Sequence, residues 1–175
     1  MTDDIRYPVG RFTQQSVPDA AARAELVRHI EELPGRIEAA VARLTQEQLD
    51  TPYRPEGWTP RQIVHHVADS HMNAYIRFKL GVTENNPTIK PYNEQTWAET
   101  TEARTGPLSL SLPLLAALHG RWVTFLKSLD ASAFARTIMH PEKGPMTLDE
   151  LLGLYAWHSR HHTAHITEMR KRNNW

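Results

Sequence analysis

The 175-residue chain contains no cysteine. That single fact excludes disulfides, thiolate metal sites and a cysteine nucleophile. Any thiol chemistry therefore needs a thiol from outside the chain. A reduced, cytoplasmic setting is the expectation that fits this composition. Net charge is lacking as well, since 20 Lys and Arg balance 20 Asp and Glu. A chain so balanced has no electrostatic footprint for nucleic acid or for an anionic membrane. Its one basic run, RKRN at 170–173, is short and placed where it would complement a helix dipole. No apolar stretch approaches bilayer length, and the opening MTDDIRYPVG begins with acids and has no signal-peptide core. Gly-rich phosphate loops, a G-x-S-x-G elbow, H-E-x-x-H and EF-hand loops are missing too.

What the chain does contain is amphipathic helix. The length suits one domain, expected to span 1–175. Residues 1–17 carry aromatics and Pro8 without helical period, and read as an extended arm packed on the body. From Pro18, Leu26, Ile30, Leu33, Ile37, Val41 and Leu44 keep three-to-four spacing, with Pro34 expected to kink or break the helix. A second helix opens at WTPRQ, where Thr59 caps, Pro60 takes the first position and Gln62 completes a capping box. It is expected to run to Leu80 and stop at Gly81. Residues 81–107 form a long connection with one short helical turn at Glu94–Ala98, and connections of that length usually serve a site. A third helix covers roughly 109–129, and a fourth opens at the Thr147–Glu150 capping box and reaches about Lys171. Four long helices with almost no strand signal predict an all-α four-helix bundle, in which the long second-to-third link permits a crossover.

Four of the ten histidines crowd into HSRHHTAHI, residues 158–166. With His158 at zero on a wheel of about 100° per residue, His162 falls near +40°, His165 near −20° and His161 near −60°. The apolar stripe of Leu151, Tyr155, Ile166 and Met169 lies at roughly +20° to +80°. His158 and His162 thus face the core, His165 borders it and His161 points toward solvent. Two imidazoles at i and i+4 suit a metal clamp, and they suit equally a hydrogen-bonded core network. A catalytic ion needs a third protein ligand. On the second helix His66 shares a polar stripe with Ser70, Asn73 and Arg77, His65 points well away, and His71 lies further along. That stripe is either a pocket wall or an exposed flank. His29, His119 and His140 have no partners at ligand spacing and read as structural or exposed. Asp69 and Glu168 are near enough in sequence to orient an imidazole, although plain surface charge accounts for both.

The blocks WTPRQIVHHVADSHMNAYIRFKL and LGLYAWHSRHHTAHI, with YPVG, LDTPYR, HGRW and AHITE, carry a resemblance over nearly the whole chain. They are similar to the DinB/YfiT-like superfamily, and within it to the YfiT group. Members of that group are described as metal-dependent hydrolases and as bacillithiol S-transferases. The resemblance implies a four-helix bundle, often a homodimer, with one divalent ion per chain held by three histidines. The matching positions here are His66, His158 and His162, and the ion implied is Zn2+ or Ni2+.

Three neutral imidazoles leave an ion with open positions. Such a site can acidify water, as in a hydrolase, or bind an external thiol and present its thiolate to an electrophile. The resemblance favours the thiol, with a bacillithiol-type cosubstrate and a small-molecule acceptor. Asn73 and Arg77 are candidate substrate contacts, Arg77 for a carboxylate of the thiol. Tyr92 and Trp97 are candidates to close over the site. A non-catalytic metal-binding stress protein is the third reading, and a fourth ligand, with His165 or His161 the nearest histidines, would favour it.

Overall fold

The computed structural model describes residues 5–13 and 16–175. Its four long helices are α1 (Ala20–Val41), α3 (Pro60–Thr83), α6 (Leu108–Lys127) and α8 (Leu148–Asn173). Four one-turn helices join them: α2 (Gln46–Leu49), α4 (Glu94–Ala98), α5 (Thr101–Thr105) and α7 (Ala131–Phe134). Each start has its chemical reason. Asp19 accepts from the Ala22 amide, and Thr59 and Thr147 form full capping boxes with Gln62 and Glu150. At the far end Asn174 adopts the left-handed conformation, φ 56°, that stops α8.

α1 packs against α6 and α8, and α3 packs against the same two. Their directions follow from the order in which each helix meets the two apolar lobes of the core. One lobe holds Val27, Ile30, Ala74, Phe78, Trp122, Leu151 and Tyr155. The other holds Leu33, Ile37, Ile63, Val67, Leu115, Ile166 and Met169. α1 and α8 run from the first lobe to the second, whereas α3 and α6 run from the second to the first. The neighbours α3 and α6 are therefore parallel, which requires the long 84–107 connection to cross the bundle. Between the lobes lies a polar layer. His66, Ser70 and His71 on α3, His119 on α6 and His162 on α8 are all buried there.

Three expectations need correction. Of the kink or break expected at Pro34, the break does not occur, and α1 continues to Val41. Proline has no N–H for the carbonyl four residues earlier, and that carbonyl, Ile30 O, instead lies 2.7 Å from His119 Nδ1. Gly81 does not end α3 either. A Cβ there would lie 2.8 Å from Leu148 Cδ2 and 3.0 Å from Ile138 Cγ2, so the missing side chain permits close packing. Finally, a two-stranded antiparallel hairpin, β1 (Thr137–His140) and β2 (Gly144–Thr147), precedes α8. Each strand is four residues long, too short for a period-2 pattern to stand out.

The basic run lies in the last turn of α8 and also reaches other elements. Arg170 donates to the carbonyls of Ala40 and Ala42 at the end of α1, at 2.8 and 3.1 Å, and Arg172 donates to Tyr53 O at 2.8 Å. Among the described residues no helix is long and apolar enough to cross a membrane.

Candidate metal centre

α3 and α8 bring His66, His158 and His162 together. Each offers one nitrogen, and the three nitrogens lie within 4.8 Å of one another. His66 Nε2 and His158 Nε2 are 3.2 Å apart. Two nitrogens about 2.05 Å from one ion at the tetrahedral angle are about 3.3 Å apart, so the pair already spans one edge of a zinc-type tetrahedron. Trp58 covers the group, its ring centroid 4.5 Å from that of His66 and 6.0 Å from that of His162. His162 Nδ1 is buried without a protein partner. A buried polar nitrogen in this state is one that a bound ligand would satisfy.

Burial holds these rings neutral. Desolvation lowers His66 to about 4, with the nearby His165 adding to the effect. It pushes His158 and His162 well below the ordinary imidazole value, and neighbouring histidines push the same way. Neutral imidazole is the metal-binding form, so the donor set fits a divalent ion of borderline softness.

Behind His158 lies a line of rings. His158 Nδ1 is 3.0 Å from His71 Nε2, His71 Nδ1 is 3.0 Å from His119 Nε2, and His119 Nδ1 meets Ile30 O. His71 and His119 are 0% and 2% exposed. Neither was expected at the site from sequence. His119 sits on a different helix, and His71 is five residues from His66, off the ligand stripe. The one available signal was that His71 falls about 140° from His66 on the wheel, beside the apolar residues.

A scan against family models matches residues 18–166 to the DinB superfamily. The chain belongs to the DinB superfamily. Among curated relatives, a Bacillus cereus (strain 03BB102) protein named "Putative metal-dependent hydrolase" is 53% identical over 173 residues, covering 99% of both chains. A Bacillus mycoides protein with the same description is 52% identical over 172 residues, 98% of this chain and 99% of its own. The solved structure of YfiT from Bacillus subtilis is 47% identical, covers 98% of this chain and 99% of its own, and superposes with a TM-score of 0.95. It is described as a probable metal-dependent hydrolase with an unusual four-helix bundle topology. The predicted bundle and the predicted family are both found. The relatives' names and the histidine triad together point to a metal-dependent enzyme.

In this DinB-superfamily chain the triad sits against a cavity of about 820 Å³. Arg77 and Tyr92, both expected near the site, line it, whereas Asn73 and Trp97 are not among the lining residues. Asn73 Nδ2 donates to Asp69 O on its own helix, and Trp97 is 40% exposed with its ring against Tyr92. Arg77 donates to Tyr155 Oη and Lys90 O, each at 3.1 Å. Burial pushes the Tyr92 phenol up to about 12, against an opposing hydrogen bond from Ser70. Glu168 pairs with Lys171 at the surface, and Asp69 contacts none of the triad's nitrogens in the described hydrogen bonds.

The wheel fails at two histidines. His161, expected toward solvent, is 7% exposed. Trp157 stacks on it at 4.3 Å, and Tyr7 of the N-terminal arm approaches at 5.9 Å. His65 is buried because the segment after α5 and the start of α6 cover it, with Gly106 O and Ser111 Oγ on its two nitrogens. A wheel reads only one helix and cannot see either cover. His161, His162 and His165 form a second close group. His165, the candidate fourth ligand, donates from Nε2 to Arg6 O at 3.1 Å and stacks on Tyr53 at 4.2 Å.

Proposed function

We propose that His66, His158 and His162 hold one divalent ion, Zn2+ or Ni2+, and that the protein is an S-transferase joining an external low-molecular-weight thiol, of the bacillithiol type, to a small electrophile. The observation that carries the metal part is the 3.2 Å approach of two imidazole Nε2 atoms, with a third imidazole beside them, at the wall of a large cavity. A divalent ion bound there supplies Lewis acidity that favours thiolate over thiol. The chain's own residues do the rest. Arg77 uses two of its five N–H donors within the protein and can turn others to a carboxylate of the thiol. Tyr92 keeps its proton at any working pH and is a neutral donor on the same wall. Arg6, Arg54 and Lys143 also line the cavity, so four basic side chains there face three acidic ones, Glu56, Glu94 and Glu142. With a divalent ion added the cavity favours an anionic ligand.

The second reading, a hydrolase that admits water in place of thiol, is favoured by the names of the relatives. Both readings share the ion and the triad. They differ in which nucleophile the cavity admits. An absorption titration of the cobalt(II)-loaded protein with a low-molecular-weight thiol separates them. A new near-ultraviolet thiolate-to-cobalt band is the expected result. Cobalt bound with a spectrum indifferent to thiol supports the hydrolase, and no cobalt bound overturns the metal centre itself.

A further inference from the structure

The three-ring line behind His158 has a definite order of protons. A carbonyl only accepts, so His119 Nδ1 must carry the hydrogen in its 2.7 Å contact with Ile30 O. A neutral imidazole holds one N–H, which leaves His119 Nε2 as an acceptor. His71 Nδ1 must then donate across the 3.0 Å gap, and His71 Nε2 is in turn left as an acceptor. It receives the hydrogen of His158 Nδ1. His158 Nε2 therefore faces His66 with a lone pair. A charged ring would break this order. His71 is fully buried, packed edge-on to Trp122 and Tyr155, and none of the described hydrogen bonds or ion pairs sets a carboxylate against the line. The order starts at a backbone oxygen that is available because Pro34, four residues on, has no N–H to offer it.

We infer that His71 and His119 are positioning residues that fix His158 in the Nδ1-protonated tautomer and so present its Nε2 lone pair to the metal site before any ion arrives. This rests on the assignment of His158 as a ligand. What it adds is that the tautomer of that ligand is set three rings away, on another helix. A ligating histidine whose second nitrogen is held by a partner keeps its ring orientation and basicity, and loss of such partners typically lowers metal affinity by about 10–100-fold.

The proton order is read directly by long-range 15N–1H correlation on metal-free protein, where protonated and bare ring nitrogens differ widely in shift. His158 is expected to show a protonated Nδ1 and a bare Nε2. A protonated Nε2 on His158 overturns the inference without any variant. The second arm uses His119→Phe and His119→Gln with zinc affinity measured by chelator competition and folding checked by circular dichroism. Phenylalanine removes the donor and the acceptor, and a fall in zinc affinity of about 10–100-fold is expected. Glutamine carries an N–H for Ile30 O and a carbonyl for His71, and restores the order and most of the affinity. A folded His119→Phe with wild-type zinc affinity and an unchanged His158 tautomer refutes the inference. Wild-type protein that takes no zinc refutes the metal centre instead, and the nitrogen shifts still decide the proton order.

Discussion

Acid should destabilise the metal-free protein well above the range in which ordinary carboxylates titrate. His66 is held at about 4 in the fold by desolvation, and His119 at about 4 for the same reason, against about 6.5 unfolded. In the window between those values the unfolded chain binds more protons than the native one, so stability falls as pH falls and is fully present only above about 6.5. Between pH 7.5 and 5.0 each group contributes a loss of about 2 kcal/mol, and the two together about 4 kcal/mol. That is a large share of the roughly 5–15 kcal/mol typical of a domain. Urea unfolding of the metal-free protein at the two pH values measures it, and a midpoint lower by about 1–2 M at pH 5.0 is expected. The variant His119→Gln should recover the share of His119, about 2 kcal/mol of the difference. Identical midpoints at pH 7.5 and 5.0 would refute the claim that burial holds these rings neutral.

His66→Ala, His158→Ala or His162→Ala should abolish stoichiometric zinc, measured by elemental analysis after dialysis, while His161→Ala retains it. Zinc retained in His66→Ala and His158→Ala but lost in His161→Ala would move the metal to the neighbouring group of His161, His162 and His165. Arg77→Ala should raise the half-saturating concentration of an anionic thiol in the cobalt titration by about tenfold and leave cobalt affinity unchanged. An unchanged thiol titration removes Arg77 from the binding wall. In Gly81→Ala, the new methyl meets Leu148 and Ile138, both 0% exposed. Overpacking of about 1–3 kcal/mol outweighs a helix-propensity gain of roughly 1 kcal/mol, so urea unfolding should show a net loss of about 1 kcal/mol. A more stable variant would refute the close-packing role of that glycine.

The helices were legible because their starts are written in local chemistry. Thr59, Pro60 and Gln62, and Thr147 with Glu150, sit at the true boundaries of α3 and α8. The Glu94–Ala98 turn within the long connection was legible too. The ends were harder, because Gly81 and Pro34 have meanings set by other helices. Gly81 makes room for Leu148, and Pro34 frees an acceptor for His119. The same limit applies at the site. Spacing on α8 paired His158 with His162, and the family resemblance picked His66 over His65. The roles of His71 and His119 depend on contacts between helices, which no periodicity within one segment encodes. His161 and His65 were misplaced for a related reason, since the elements that bury them are distant in sequence or lie in the irregular connection.

The line from Ile30 through His119 and His71 to His158 takes one member from each of α1, α6, α3 and α8. Ile30 contributes a main-chain oxygen that no substitution removes, whereas His119 and His71 act on His158 only through one another, so a second substitution at those two should cost much less than the first. For a lineage carrying this protein, loss of either His71 or His119 releases the other, while Ile30 stays under the demands of the core and His158 under those of the triad. The two inner rings would then be inherited, or abandoned, as a pair.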